Sequence, residues 1–419
     1  MFIFYRTISG FFYRNNSVMK SLKELYKIGK GPSSSHTMGP QLASKIFLSK
    51  YPQADSYEVT LYGSLAATGK GHLTDVAIAG VLGEHKDLDI VWKPQIFLPF
   101  HPNGMLFKAF DAHKQEIGEW TVYSVGGGAL SEGKGKDDMF NTKSVYEMTT
   151  LAEIMAWCEE NGRSYWEYVD ECEDDDIWDY LLEVWQVMKE AVERGINHEG
   201  VLPGPLNLRR KAASYFVKAN GYKKSLQSRA LVYAYALAVS EENASGGTIV
   251  TAPTCGSCGV MPAVLYHLSK GHGFSDTRIV HAMATAGLFG NIVKYNASIS
   301  GADVGCQGEV GVACAMVSAA ACQLFGGSIA QIEYAAEMGL EHHLGMTCDP
   351  VCGLVQIPCI ERNAFAATRA LDANLYATFS DGKHHVSFDK VVRVMKKTGH
   401  DLPSLYKETS EGGLAAEIC

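Results

Sequence analysis

The sequence predicts an α+β domain followed by a mostly α-helical domain, because the spacing of apolar residues changes along the chain. Within residues 21–130, segments with alternating apolar residues lie among segments with helical spacing, which is typical of a small sheet with helices packed on it. Within residues 145–410 the spacing is mostly helical, with breaks such as LPGPLN (202–207) between segments. SEGKGKDDMFNTKS (131–144) has neither periodicity, and we interpret it as the linker.

The first domain is expected to begin with helices and to continue with strands. SLKELYKI (21–28) and TMGPQLASKIFLSK (37–50) have helical spacing, and hydroxyl residues that can act as caps precede the second segment. YEVTLYG (57–63) alternates as a half-buried strand does, and MLFKAFDA (105–112) and IGEWTVYSVGGG (117–128) are interpreted as two further strands. These segments give the small sheet and the helices packed on it.

The second domain is expected to consist of helices that bury one another. Segments 226–243 and 310–324 are apolar nearly all round, so we expect both to lie centrally. The longest apolar run, ALVYAYALAV (230–239), is about half as long as a membrane-spanning helix, so no membrane segment is expected. The predicted helices include residues 145–160, 176–194, 226–243, 276–296, 310–324, 328–342 and 386–397.

Composition and charge narrow the classes of function. The chain is 47% hydrophobic and 20% charged, which is ordinary for a globular protein, and its net charge is −9. Neither nucleic acid nor an anionic membrane surface is therefore an expected partner. The N-terminal stretch, residues 1–20, is apolar, but Arg6 and Arg14 interrupt it and no signal-peptide cleavage site follows. We expect a short extension there, or translation that starts at Met19, and a cytoplasmic location.

The eleven cysteines are not expected to form a disulfide framework, because no secretory signal is visible. We expect thiols that are buried, catalytic or bound to metal. Cys255-x-x-Cys258 has the spacing of a redox pair or of half a zinc site, and Cys348-x-x-x-Cys352 has that of another half site. Zinc is the weaker alternative on motif grounds, because His342 and His343 are adjacent, which is a poor spacing for two ligands on a helix.

The positions of the remaining cysteines separate two groups. Cys314 and Cys322 lie within an apolar helix, where a thiol acts as a small apolar side chain. Cys306, Cys348 and Cys359 lie instead at breaks, beside glycine, aspartate-proline and proline. Backbone N–H groups exposed at such turns can stabilise thiolates and an iron–sulfur cluster.

A hydroxyl-rich stretch near the N-terminus favours anion binding. In GKGPSSSHTMGP (29–40) a Gly-Pro turn leads a run of hydroxyl residues into the start of a helix. Hydroxyl donors, free backbone N–H groups and the positive end of the helix dipole together make an anion site. A multiply capped helix start is the alternative for this stretch taken alone.

A series of motifs in this order resembles one known family. The motifs are GPSSSHTMGP (31–40), LYGSLAATGKGH (61–72), HPNGM (101–105), YSVGGG (123–128), TAPTCGSCGVMPAVL (251–265), SGADVGCQGEVG (300–311) and MTCDPVCGLVQIPCIERN (346–363). Together they resemble the iron–sulfur L-serine dehydratases, or L-serine ammonia-lyases, in the form that fuses the β and α parts in one chain. The resemblance covers roughly residues 21–419, and the length of several motifs makes chance similarity untenable.

The resemblance implies an oxygen-sensitive [4Fe–4S] cluster and no pyridoxal phosphate. In this family three cysteines hold three irons, and the fourth iron binds the substrate. By position in the matching motifs the three ligands are Cys306, Cys348 and Cys359. In the fused form a C-terminal cysteine caps the fourth iron at rest, which matches Cys419. The resemblance therefore predicts that the tail, residues 411–419, inserts into the active site.

The resemblance also bears on other cysteines and on assembly. Cys255 and Cys258 match no ligand position, whereas Cys352, close to Cys348, remains an alternative ligand. A homodimer is expected from the family. The first domain resembles the allosteric substrate-binding domains of certain dehydrogenases.

Serine dehydration requires a base that reaches the Cα proton and a means of releasing hydroxide from Cβ. An open iron of the implied cluster is a Lewis acid that can bind the hydroxyl. A base with a pKa near working pH favours histidine, and His36, His72 and His101 lie in matching motifs. We predict His72, because its segment follows a strand end and carries glycines that allow close approach. Lys70 is the alternative and would need a strongly lowered pKa.

The substrate carboxylate and amine need donors and acceptors that are held rigidly. Because the hydroxyl motifs come from the first domain and the implied cluster from the second, we expect the site at the domain interface. The candidates for the carboxylate are Ser33, Ser34, Ser35, His36 and Thr37, and further substrate-binding candidates are His101, Asn103, Ser124, Thr251 and Thr254.

Three alternatives remain. A pyridoxal-phosphate dehydratase would need a Schiff-base lysine in a recognisable setting and a phosphate cup, and we find neither. An iron–sulfur or thiol redox sensor would carry a DNA-binding motif or a basic face, and this acidic chain shows neither. A cluster-dependent lyase acting on threonine, cysteine or another β-substituted amino acid is a closer alternative, since a methyl group changes binding only modestly.

Overall fold

A computed structural model describes residues 19–84, 86–133 and 143–418 of the chain. The strands within these residues are β1 (Met19–Lys20), β2 (Ile28–Lys30), β3 (Ser56–Tyr62), β4 (Asp87–Lys93), β5 (Gly104–Phe110), β6 (Glu116–Ser124), β7 (Leu130–Ser131), β8 (Ser144–Tyr146) and β9 (Thr248–Val250). The helices are α1 (Gly39–Lys50), α2 (Gly63–Thr68), α3 (Thr74–Leu82), α4 (Leu151–Asn161), α5 (Tyr165–Cys172), α6 (Ile177–Ile196), α7 (Ala212–Asn220), α8 (Lys224–Ala244), α9 (Val260–His272), α10 (Asp276–Asn296), α11 (Gly301–Val304), α12 (Val310–Leu324), α13 (Ile329–Glu341), α14 (Cys359–Phe379), α15 (Phe388–Asp401) and α16 (Leu414–Ile418).

The first domain is a five-stranded sheet with helices packed on it. The strand order is β4-β3-β5-β6-β7, in which β3 pairs parallel with β4 and the other pairs are antiparallel. Phe47 of α1 packs against Val59, Phe107 and Trp120 of the sheet in a hydrophobic core separate from that of the helices. This arrangement confirms the predicted small sheet with helices.

The second domain is a helical assembly built around α12. Its residues are almost all buried, and α9, α10, α13 and α14 contact it, because alanines, cysteines and glycine on every side let neighbouring helices approach closely. The predicted central position of this helix is confirmed. For α8 the prediction holds only from Val232 onward, since Leu226 and Arg229 in its first half are exposed. None of the described helices combines the length and apolarity needed to cross a membrane.

The segment 21–28 was expected to be helical, and that prediction is wrong. Only Leu22–Glu24 form a short 3-10 turn, and β2 then pairs antiparallel with β9 of the second domain. The apolar spacing of this segment instead reflects burial, since Leu22, Leu25 and Tyr26 all pack into the core of the helical domain. Tertiary partners override local helix propensity here. The segment thereby ties the start of the first domain to the second.

The predicted helix 145–160 begins later than expected. Residues Ser144–Tyr146 form β8, which pairs with β1, and α4 starts at Leu151. Thr150 sets this start, because its side chain accepts the Glu153 N–H and the Glu153 carboxylate accepts the Thr150 N–H, a capping box. Most of the predicted linker, at residues 134–142, lies outside the described residues, as do residues 1–18.

Candidate active site

Two buried histidines of the first domain lie side by side. His36 lies in a π-helical turn (Ser34–Met38) that follows β2, and His72 follows α2, so that their ring centroids are 4.5 Å apart. Both ring nitrogens of His36 have partners: Nδ1 lies 2.8 Å from Ser35 Oγ, and Nε2 lies 3.2 Å from Ser64 Oγ. These contacts hold His36 in a fixed orientation and engage both of its ring nitrogens.

One ring nitrogen of His72 has a hydrogen-bond partner, and the other faces a carboxylate that is too far away to bond. Its Nδ1 lies 3.1 Å from Thr68 Oγ1, whereas its Nε2 faces the Glu408 carboxylate at 4.0 Å, beyond hydrogen-bond distance. Burial, and then the neighbouring His36, lowers the pKa of His72 well below its usual value. Burial also lowers the pKa of His36 to about 4. Both imidazoles are therefore neutral near pH 7, and His72 Nε2 is positioned to accept a proton.

Three thiols of the second domain converge near these histidines. Cys306 follows α11, Cys348 lies in the loop before α14, and Cys359 is the first residue of α14; all three are buried. The Cys306 and Cys348 sulfurs lie 3.7 and 4.0 Å from Glu309 Oε2. Burial, and then the nearby Cys306, raises the pKa of the Cys359 thiol. The structure thus brings together three cysteines that are far apart in the sequence.

The thiols and the space around them suit a metal centre that binds thiolates. A Cβ on Gly301 would lie 3.1 Å from Cys348 Sγ and 2.7 Å from Glu309 Oε2, so only glycine leaves room beside these donors. Buried thiols lose their protons when a metal centre compensates the charge. Cys306, Cys348 and Cys359 are therefore the residues suited to hold such a centre.

The two halves of the site meet where the two domains contact each other. The Glu408 N–H donates to Cys348 O at 2.8 Å, and Ser64 Oγ of the first domain donates to Glu408 O at 2.9 Å. Gly71 lies so close to Gly353 that a Cβ on Gly71 would be 2.5 Å from the Gly353 carbonyl oxygen. The glycine before His72 therefore allows the close approach that the sequence suggested.

Comparison with known proteins identifies the family. Residues 109–415 match the model of the serine dehydratase alpha chain, and residues 21–88 match the model of the serine dehydratase beta chain. The chain belongs to the serine dehydratase family. It is 42% identical to an L-serine dehydratase of Streptomyces coelicolor, over 95% of this chain and 99% of that protein. It is 39% identical to an L-serine dehydratase of Haemophilus influenzae, over 96% of this chain and 99% of that protein, and 36% identical to one of Helicobacter pylori, over 95% and 99%.

Two carboxylates that sequence reasoning missed complete the site in this member of the serine dehydratase family. Glu309 Oε1 accepts a hydrogen bond from Thr254 Oγ1 at 2.8 Å, and Glu408 Oε1 lies 3.6 Å from His36 Nδ1. Burial, and then the other carboxylate, raises the pKa of Glu309 to about 8. Glu309 lies inside the quoted motif SGADVGCQGEVG, where a carboxylate before an apolar helix was an available signal. Glu408 lies in none of the quoted motifs.

Most of the predicted substrate-binding residues of the first domain surround the histidines. Ser33 Oγ accepts from the His36 N–H and lies 3.3 Å from Ser35 Oγ, and Thr37 Oγ1 donates to His72 O at 2.7 Å. Ser34 is buried as the first residue of the π-helical turn. The hydroxyl run therefore forms one wall of the site.

The remaining substrate-binding candidates differ in whether their polar atoms already have hydrogen-bond partners. Asn103 Oδ1 and Ser124 Oγ are buried without a hydrogen-bond partner among the described residues, and His101 Nδ1 accepts from the Asn103 N–H. Thr251 Oγ1 instead donates to Leu25 O and accepts from the Lys27 N–H, so its hydroxyl holds the β2 segment in place. The structure therefore leaves Asn103 and Ser124, more than Thr251, able to bind a ligand.

Lys70 lies apart from this cluster. Its side chain is exposed, and its Nζ lies 5.8 Å from the centre of the Trp92 ring. A base must reach the substrate inside the buried site, and the exposed Lys70 side chain lies outside the buried pair of histidines. The geometry favours His72 over Lys70 as the base.

Cys255, Cys258 and Cys352 have other surroundings. Cys352 is only partly buried and has a left-handed backbone, with φ 53°. The Cys255 sulfur lies 3.5 Å from the Met38 sulfur, and Cys258 is buried in the helical core. None of the ten cysteines that the structure describes is in a disulfide.

The tail approaches the thiol site through a short helix. The Leu414 N–H donates to Asp349 Oδ2 at 2.9 Å, next to Cys348, and Asp349 forms an ion pair with Arg362 at 3.1 Å. Gly413 makes this turn with a φ of 61°, and a Cβ there would lie 2.3 Å from the same Asp349 oxygen. Cys419 lies outside the described residues.

Proposed function

We propose that the chain is an L-serine dehydratase that uses a [4Fe–4S] cluster to convert L-serine into pyruvate and ammonia. The observation that carries the proposal is that Glu408 contacts both halves of the site. Its Oε1 faces His72 Nε2 of the first domain, and its backbone N–H donates to Cys348 O, beside the buried thiols of the second. The similarity to relatives named L-serine dehydratase over almost the whole chain supports the same activity. A cytoplasmic homodimer without pyridoxal phosphate is part of the proposal.

In this proposal Cys306, Cys348 and Cys359 hold three irons of the cluster as thiolates. When bound, the cluster supplies a Lewis acid that binds the substrate hydroxyl, so that hydroxide leaves with its charge stabilised. The three thiols are buried, and Gly301 packs closely against Cys348 and Glu309, so bulk water is kept away from this position.

His72 Nε2 is proposed to remove the proton from Cα of the substrate. Its burial keeps the imidazole neutral, and Thr68 Oγ1 fixes the ring through Nδ1, so that the basic nitrogen is held in one direction. Loss of the Cα proton and of hydroxide from Cβ gives aminoacrylate. That product tautomerises to an imine, which water hydrolyses to pyruvate and ammonia.

The substrate carboxylate is proposed to bind the hydroxyl wall. The hydroxyls of residues 33–35 and Thr37 lie around His36, and the unpartnered Ser124 Oγ supplies a further donor. Ser33 and Ser35 contact each other through their hydroxyls and Thr37 donates to His72 O, so these buried side chains are ordered before the substrate binds. Asn103 and His101 are proposed to complete this side of the site.

Anaerobic purification tests the proposed function directly. About four irons and four sulfides per chain are expected, together with pyruvate formation from L-serine. Parallel assays with L-threonine and L-cysteine separate serine dehydration from the related lyase activities. Full activity in iron-free protein, or an absorption band of bound pyridoxal phosphate, would overturn the proposal.

Cys419 is proposed to bind the open iron at rest, so replacing it by serine is expected to expose the cluster. The Cys419→Ser variant should lose iron in air several times faster than the wild type. Its KM for L-serine should fall by roughly 3- to 10-fold, because a tethered competitor is weakened. Iron content against time and steady-state kinetics measure both effects. Cys172→Ser, remote from the thiol site, is the control, and equal behaviour of all three proteins would refute the role of Cys419.

A further inference from the structure

The Glu408 carboxylate is buried between the two halves of the site. Its Oε1 lies 3.6 Å from His36 Nδ1 and 4.0 Å from His72 Nε2, and its backbone N–H donates to the carbonyl of Cys348. The residue is only 6% exposed. A carboxylate at this position is next to both the proposed base and a proposed cluster ligand.

One oxygen of this carboxylate has no protein partner. Glu408 Oε2 is fully buried and makes no hydrogen bond to any of the described residues. Among the described residues, its ion-pair partners are the two histidines, which burial keeps neutral. Burial, and then the nearby Cys306, raises the pKa of Glu408 to about 8. A buried carboxylate with no donor beside it is costly, so a cationic donor supplied by a ligand would stabilise its charged form.

Glu408 has an unfavourable, left-handed backbone conformation at this position. Its φ is 59°, in the left-handed region that is strained for a residue other than glycine. The hydrogen bonds to Cys348 O and from Ser64 Oγ maintain that conformation. Strain of this kind concentrates at functional sites, which agrees with a role for the side chain beyond packing.

We propose that Glu408 binds the ammonium group of the amino-acid substrate. The inference rests on the proposed function, in which the hydroxyl on Cβ lies at the cluster and the proton on Cα faces His72. The ammonium shares Cα with that proton, so its acceptor must lie near His72. Glu408 Oε1 is 4.0 Å from His72 Nε2, and Oε2 of the same carboxyl group is buried without a partner among the described residues.

The second buried carboxylate of the site is not available for this role. Glu309 Oε1 accepts from Thr254 Oγ1, and its Oε2 faces the thiols of Cys306 and Cys348. Both of its oxygens are therefore engaged by the protein. Of these two carboxyl groups, Glu408 is therefore the one with an oxygen free to accept from the ammonium.

The test compares ligands that differ only in the ammonium group. L-Alanine and propionate are used as competitive inhibitors of the holoenzyme, because each retains the carboxylate and lacks the leaving hydroxyl. In Glu408→Gln the KM for L-serine and the inhibition constant of L-alanine are expected to rise about 10- to 100-fold, since a charge-assisted hydrogen bond is lost. The inhibition constant of propionate should change less than about threefold. Asp401→Asn removes a surface carboxylate earlier in the same stretch and should change neither constant.

Each outcome decides the inference separately from the proposed function. An equal loss of affinity for L-alanine and propionate, or a fall in kcat at unchanged KM, overturns the role of Glu408 while leaving serine dehydration intact. A loss of iron from Glu408→Gln also overturns it, because the residue would then support the cluster. If the glutamine variant does not fold, Glu408→Asp is measured instead, and it must weaken L-alanine selectively. A wild type without iron or without pyruvate formation refutes the proposed function itself.

Discussion

Replacement of Cys348 by alanine is expected to abolish pyruvate formation and to remove most of the iron. Its thiol is one of three buried sulfurs that converge near Glu309, and a cluster held by two thiolates is far less stable than one held by three. We expect iron to fall from about four per chain to below about one. Iron and sulfide analysis of anaerobically purified protein measures the change.

Two other cysteine variants are the controls for this prediction. Cys314→Ala removes an equally buried thiol that donates no ligand in the proposal, and iron should remain at the wild-type level. Cys352→Ala tests the alternative ligand that the spacing of the motif suggested, and it too should retain iron. Retention of the cluster in Cys348→Ala together with its loss in Cys352→Ala would exchange the two assignments.

Replacement of His72 by asparagine is expected to lower kcat by roughly 10²- to 10⁴-fold without loss of iron. Asparagine retains a polar group near Thr68 but cannot accept a proton from Cα. Because burial lowers the pKa of His72 below the usual 6.5, the acid limb of wild-type kcat/KM should lie below pH 6.5. Steady-state kinetics across the pH range, combined with iron analysis, measure both effects.

A second buried histidine provides the matched control for His72. His343 also has a lowered pKa, and its Nδ1 lies 2.7 Å from Gly339 O within the helical core. His343→Asn should therefore leave kcat within a few-fold of the wild type. If Lys70→Met rather than His72→Asn abolished turnover, the exposed lysine would be the base and the geometric argument would fail.

The sequence by itself determined the class of fold and most of the elements. Helices such as α10 and α12 and strands such as β3 and β6 match the predicted segments, because each carries an unbroken period of apolar residues. The quoted motifs also identified a family, which the matches to both serine dehydratase chains confirm. Long motifs of this kind can be recognised from the sequence without any knowledge of the three-dimensional contacts.

The structure alone decided which residues meet. Segment 21–28 has helical spacing but forms a 3-10 turn and the β2 strand, since the helical core and β9 offer partners that no local pattern reveals. Glu408 follows the last predicted helix and belongs to no motif, and only the hydrogen bonds that place it against Cys348 and Ser64 bring it beside His72. Lys70 and His72 differ by two positions in sequence, yet one is exposed and the other buried. Apolar periodicity fixes which face of an element is buried, whereas the contacts between distant segments depend on how the two domains pack together.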